Sequence, residues 1–454
     1  NVVAGEPRAL LHAVADLTLD GTLNVSTPGA FGPGIYRVID YDGALTDNGL
    51  LLGTMPSGSD AFVQTSFAHQ VNLINTAGLV LKYWDGAAGP KFDGVINGGN
   101  GLWQNHTGND NWTESTGAIN APYQDDGFAV FGGTAGTVTV DNSLGNVTTS
   151  GMQFSTDGYR LEGASIGLVG TAPVIRVGDG TAGSATYKAT ITSELTGSTG
   201  MEKTDLGTLV LSGDNTYTGG TKITAGTLQL GDGGTTGSIA GDVANNGALS
   251  IDHLNAVTID GAISGTGVVN QIGTGTTTLS GANTYTGGTT ISSGTLVGSA
   301  SSFGTSNILD NSALVVDQST DGTLAGALDG TGSFTKQGAA AVSYTGTGNL
   351  SGATTIAAGT LAMNGSLARS AVTVKSGATL AGTGTVGATT VEAGGTIAPG
   401  NNTIGKLNVN GNYTQTGVYA VDVDSAGQSG RIVVSGTATL TGGTVSVQAQ
   451  NGTY

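Results

Sequence analysis

From Leu206 onward the chain alternates between apolar and polar positions with a period of two. In TLVLS, residues 208–212, Leu209 and Leu211 fall on one face of an extended segment, with Thr208, Val210 and Ser212 on the other. In TKITAGTLQL, residues 221–230, the apolar positions are Ile223, Leu228 and Leu230, and Gly226 stands where the segment must bend. Short runs of this kind, bounded by Gly, Asn, Asp and Thr, predict many strands joined by tight turns. Nowhere does a helical period replace them.

The pattern is also repeated. Residues 207–221 read GTLVLSGDNTYTGGT and residues 275–289 read GTTTLSGANTYTGGT, 68 positions later. A looser third copy, GAAAVSYTGTGNLSGATTIAAGTLAMNG, spans 338–365, and its Gly359-Thr-Leu lies 65 residues after the one at Gly294. A unit this short cannot bury its apolar face alone, so its copies must stack. The expectation is an all-β fold, a right-handed parallel β-helix (β-solenoid) with loop protrusions in the N-terminal third; a β-sandwich array is the competing arrangement. With ~22 residues per coil and coils about 4.8 Å apart, the chain would make ~20 coils and a rod ~100 Å long, the 68-residue spacing being about three coils.

Five segments follow from the same reading. Residues 1–82 are N-terminal coils, ADLTLDGTLNVS at 15–26 being the clearest. Residues 83–128 hold all three tryptophans, Trp84, Trp103 and Trp112, between long polar stretches, and are expected to protrude from the shaft. Coils resume over 129–205, the repeats occupy 206–393, and the regular strands of 394–454 suggest a cap protecting the open edge of the stack.

Composition sharpens this picture. The 454 residues include 81 Gly, 8 Pro and no Cys, with 37% hydrophobic, 5% aromatic and 10% charged residues. Disorder requires low hydrophobicity and high charge, which this chain lacks. The formal charge is −18, and from Lys222 to Lys336 no Lys or Arg intervenes while eight Asp do. Such a surface repels phosphate backbones and anionic membrane faces, so nucleic acid is not an expected partner. No run of 18 apolar residues predicts a membrane helix. The opening NVVAGEPRALLHAV lacks the look of a signal peptide, which suggests an interior fragment or a cytoplasmic chain.

With these residues in view, GTLVLSGDNTYTGGTKITAGTLQLG resembles the passenger-associated transport repeat of Gram-negative type V autotransporters. APGNNTIGKLNVNGNYTQTGVYAVDVDSAGQSGRIVVSGTATL resembles the autochaperone region of the same proteins, and YWDG…GLW…NWT with GTVTVDN…GMQFSTDGYRLEG resembles segments of their large passengers. The resemblance implies a right-handed β-helix exported through the outer membrane and displayed at the bacterial surface, with its own C-terminal outer-membrane β-barrel as a partner. No barrel-type strands follow Tyr454 and the autochaperone-like segment stops at NGTY, which suggests a trimmed passenger.

Candidate chemistry is sparse. Gly163 to Gly167 read GASIG, a G-x-S-x-G match, but the nucleophile elbow needs a helix after Ser165 and none is predicted. His12, His69, His106 and His253 are scattered, and the GDSGS-like motif of protease passengers is absent. Asp422 and Asp424 share a strand face, and Asn109, Asp110 and Asn111 supply oxygens, but no EF-hand spacing occurs, so neither metal nor cofactor is expected. The only place with acids and cations close in sequence is Lys82, Asp85, Lys91, Asp93 and Asp110. Trp84, Trp103 and Trp112 are the candidate ligand-binding residues, since aromatic faces beside Asn and Asp suit sugars; packing over the core is the other reading. The expected function is adhesion without catalysis, engaging host extracellular matrix, cell-surface glycans or sister cells. The alternatives are a secreted carbohydrate-active enzyme on the same fold and an inert stalk for a binding tip upstream.

Overall fold

The computed structural model describes residues 11–26, 31–400 and 403–449, and the chain forms two compact units, Asn1–Leu249 and Ser250–Tyr454. Both are β-solenoids. In the first, one sheet runs through Leu81–Trp84, Phe128–Phe131, Gly151–Phe154, Val174–Val177, Met201–Thr204, Thr221–Ile223 and Val243–Asn245, every neighbouring pair parallel. A second sheet takes the next strand of each coil, from Gly101–Trp103 through Thr137–Val140 and Arg160–Gly163 to Thr227–Gly234. A third is short, with Val147–Thr149, Ile166–Leu168 and Leu195–Thr196. Alternation decides what goes inside: Leu209, Leu211, Leu228 and Leu230 are buried and stack in register.

The second unit repeats the scheme. Leu296 pairs with Leu314, Leu314 with Phe334, Phe334 with Thr354 and Thr354 with Val372, so one column of the core is built from one residue per coil. All five side chains are buried. The coils tighten to 17 residues between Val372 and Thr389 and widen to 24 between Thr389 and Tyr413.

The duplicated phrase has a physical reason. Asn215 accepts a hydrogen bond from the Leu195 amide of the coil before (2.9 Å) and donates to the Ser238 carbonyl of the coil after (2.9 Å). Asn283 does the same with the Ile263 amide and the Ser302 carbonyl, both at 2.7 Å. Two residues on, Tyr217 and Tyr285 enter the core, where each hydroxyl shares a hydrogen bond with the threonine four residues later, Thr221 at 2.7 Å and Thr289 at 2.6 Å. Asn-Thr-Tyr-Thr-Gly-Gly-Thr therefore encodes one inter-coil tie and one buried hydroxyl pair. In the looser copy Leu350 takes the tyrosine position, and Thr354 turns to the Ser370 hydroxyl instead.

One expectation about the N-terminal third changes. The 83–128 segment is not a protrusion: Trp112–Thr113 lies antiparallel on Tyr83–Trp84 and Asn120–Ala121 lies antiparallel on Trp112–Thr113, so the segment covers the edge of the first sheet. Polar residues that read as loops are internal braces. Asp85, fully buried, accepts from the Asn97 amide and from Asn120 Nδ2. At the other end, 394–449 is built of further parallel coils. Thr396–Pro399, Val418–Val423 and Thr444–Ala449 pair in succession, and Leu440, Val445 and Val447 are 70%, 64% and 60% exposed. The expectations for Asn1 and for NGTY at 451–454 lie outside the described residues.

Candidate binding groove

Before Leu81–Trp84 the chain builds a small module. Gly34–Tyr41 is flanked in parallel by Leu11–Ala13 and in antiparallel by Gln70–Asn75, which carries Ala61–Gln64 on its other side. Leu17–Leu23 and Leu45–Leu52 form a separate parallel pair, and Leu17, Leu19, Val38, Val71 and Leu73 make a common core. The module lies against the outer face of the first sheet. The Ile35 amide donates to Gln153 Oε1 (2.6 Å) and Gln153 Nε2 donates back to the Ile35 carbonyl (3.0 Å). The Arg37 amide donates to the Asp179 carbonyl at 2.9 Å.

In VIRV, Val174–Val177, alternation sends Ile175 and Val177 inward and Arg176 outward, yet Arg176 is buried because the module covers it. Its guanidinium donates to the carbonyls of Pro33 (2.6 Å) and Ile35 (3.4 Å), pairs with Asp205 at 3.0 Å, and sits 4.3 Å from the centre of the Tyr36 ring. A buried cation is tolerable only with such a full set of partners. Burial pushes the Tyr36 phenol upward from its ordinary value. Arg37 pairs with the buried Asp179 at 3.1 Å, while its Nε–H has no hydrogen-bond partner. One strand further, Glu202 is held by Lys222 at 2.9 Å and by the Thr224 hydroxyl at 2.5 Å.

Beside these pairs, module and sheet leave a groove of about 460 Å³. Its walls are mainly apolar, with Val25, Phe31, Pro33, Val38, Leu73, Val174, Leu206 and Ala225 joined by Arg37, Arg176, Glu202, Asp205 and four hydroxyl residues, Ser26, Tyr36, Thr204 and Thr224. That volume is within the roughly 300–1,000 Å³ of ligand sites. Sequence reasoning missed this groove. Arg37 and Arg176 are far apart along the chain, and only the docking of the module unites them; the one local signal is a charged residue in the middle of VIRV.

The residues singled out from sequence lie elsewhere. Trp84, Trp103 and Trp112 are 0%, 0% and 1% exposed, packed on one another and on Tyr123 and Phe131 with ring centres 4.7–6.1 Å apart. Trp84 Nε1 donates to the Gly99 carbonyl at 2.7 Å. Their faces are spent on each other, so the ligand-binding reading of these three is corrected to packing. Asp110 is held by the Lys91 ammonium, which keeps its carboxyl below the usual range and also donates to Asn111 Oδ1 at 2.7 Å. With Asp85 already engaged by Asn97 and Asn120, the Lys82–Asp110 stretch forms no open acid–cation cleft. Ser165 precedes a strand, Ile166–Leu168, rather than a helix. His12 pairs with Asp40 at 2.6 Å, His106 with Asp125 at 2.5 Å, and His253 is buried. Asp424 Oδ1 accepts from the amides of Ala426 and Gln428 in a turn, and among the described residues no cluster of three His, Asp or Glu could hold a metal.

Comparison with known proteins adds the lineage. The family described as Passenger-associated-transport-repeat matches residues 201–230, 269–297 and 334–363, the three copies read above. A curated relative, "Adhesin BmaC autotransporter" of Brucella suis biovar 1 (strain 1330), is 43% identical over 399 residues, covering 80% of this chain but 11% of that protein. No solved structure matches.

Proposed function

We propose that this chain, which belongs to the autotransporter passengers, is displayed outside the outer membrane of a Gram-negative cell and serves there as an adhesin. The observation that carries this is the 43% identity, sustained over 80% of the chain, to a protein named as an adhesin. The fold supports it: a β-solenoid folds from short local units and presents long outer faces, which suits binding by extended surface. The partners we propose are host extracellular matrix, cell-surface glycans or sister cells, and a β-barrel of its own as the export partner.

Binding rather than catalysis is the reading, because the acids of the groove are already engaged. Asp205 is tied to Arg176, and Glu202 to Lys222 and Thr224. A glycosidase would need two carboxyl groups free to exchange protons with a substrate. The test is display of the chain on a non-adherent Gram-negative host fitted with an export barrel. Attachment to matrix-coated surfaces, epithelial cells or sister cells is expected to rise at least tenfold over the empty barrel, and no rise on any of the three would defeat the reading.

A further inference from the structure

We infer that Asn48 is a site of spontaneous covalent modification. Its carboxamide converts with time, and without an enzyme, to the carboxylate of aspartate or isoaspartate. The N-terminal module thereby passes from a neutral to an anionic form at this point, whatever the chain binds.

Several places in the chain have the sequence for this reaction, and the structure selects one. Asn48, Asn97, Asn100, Asn246, Asn364 and Asn410 each precede a glycine. Asparagine is thermolabile, and a following glycine, lacking Cβ, leaves its own nitrogen unshielded for attack on the carboxamide. Four of these carboxamides are tied down. Asn97 Nδ2 donates to the Pro90 carbonyl (2.9 Å), and Asn100 Oδ1 accepts from the Thr137 amide (2.7 Å). Asn364 Nδ2 donates to the Ser343 hydroxyl (3.0 Å) while its Oδ1 accepts from the Thr383 amide (3.3 Å). Asn410 Nδ2 donates to the Ala368 carbonyl (3.1 Å), and Asn246 is engaged as well. Asn48, by contrast, is exposed, and its side chain has no hydrogen-bond partner among the described residues.

The backbone at Asn48 is equally free. Between Leu17–Leu23 and Leu45–Leu52 the register slips by one residue: Leu19 faces Asp47 and Gly21 faces Leu50, which sets Asp20 opposite both Asn48 and Gly49. This is a β-bulge, whose extra residue has no ladder partner. Gly49 stands at φ +92°, and its amide donates to Asp47 Oδ1 of the same bulge at 2.9 Å. No bond across the strands has to break before the Gly49 nitrogen attacks Asn48 Cγ. The N–Cγ bond forms as the Cγ–Nδ2 bond breaks. The Gly49 amide hydrogen, already directed at the Asp47 carboxylate, leaves with Nδ2 as ammonia. Water then opens the cyclic imide at either carbonyl. One opening gives aspartate and the other isoaspartate, with an extra methylene in the main chain; both add a negative charge to a chain of −18.

The test is storage of the full chain in mildly alkaline buffer, folded and in urea, followed by peptide mapping with mass spectrometry. In the folded chain, conversion at Asn48 is expected to run at least tenfold faster than at Asn97, Asn100, Asn246, Asn364 or Asn410. In urea, where every tether is lost, the six rates should converge. Conversion at Asn48 no faster than at the other five in the folded chain would overturn the proposal. So would the same spread of rates in urea, since sequence rather than structure would then set it. Asn48→Gln should stop the gain of acid in residues 38–82, and an acidic form of that peptide accumulating in this variant at the original rate would defeat the assignment.

Discussion

At the scale of single residues, the interior of these coils carries polar groups that explain themselves by what they hold. Lys203, Gln271 and Lys336 occupy the same position of the three repeats, and all are buried. Lys203 Nζ donates to the carbonyls of Thr204, Asp205 and Ala225 at 2.8–3.2 Å, and Lys336 Nζ to those of Gln337, Gly338 and Ala358 at 2.8–3.0 Å. Gln271 reaches the Gly273 and Gly275 carbonyls. Each therefore fastens the corner that follows its strand. Replacing Lys336 by Met should leave three carbonyls short of a donor and cost about 2–4 kcal/mol in urea unfolding, and a Gln substitution should recover part of it. Asp310 is an exception. Its Oδ1 accepts from the Ser312 amide, its Oδ2 has no partner, and burial pushes its carboxyl up to about 6. A raised carboxyl favours the folded state below its ordinary pKa of 3.8, and that contribution is lost as pH climbs through about 6. Asp310→Asn is thus expected to raise stability at pH 8 by on the order of 2 kcal/mol and to do little at pH 4. Unfolding midpoints of both proteins across that range give the answer.

At the scale of the coil, the repeat was legible because the residues that tie coils together are the ones that recur. Asn283 bridges the Ile263 amide and the Ser302 carbonyl, so Asn283→Ala should cost about 1–3 kcal/mol, since it orphans a buried group on each neighbouring coil. The looser copy supplies the converse case. Gly348 stands where the others have Asn, and a Cβ there would come within 2.0 Å of the Leu328 carbonyl. Restoring the consensus by Gly348→Asn should therefore destabilise the protein, a result that chemical denaturation reads directly. Less legible were elements whose role depends on distant partners. The GLW and NWT segments carry the composition of loops, and nothing local says that parallel pairing of Gly101–Trp103 with Thr137–Val140 and antiparallel pairing of Trp112–Thr113 with Tyr83–Trp84 fold their indoles inward. The groove was illegible for the same reason, since Arg176 gains its meaning only from the carbonyls of Pro33 and Ile35.

At the scale of the whole chain, each unit has ends as well as coils, and the ends differ. The last described coil pairs on one side only, through Arg431–Val434, Ala438–Leu440 and Thr444–Ala449. The N-terminal knot of indoles does the opposite, closing an edge with large apolar surface, and Trp112→Ala should cost about 3–5 kcal/mol in the first unit. That knot also has an optical consequence. All three tryptophans of the chain lie within it, and residues 250–454 contain none. Indole emission therefore watches one end of the first unit and is blind to the second, whereas far-ultraviolet dichroism sums strands from both. If the two units melt separately, the two signals will trace different curves from a single sample, and the gap between them will measure how strongly the units cooperate.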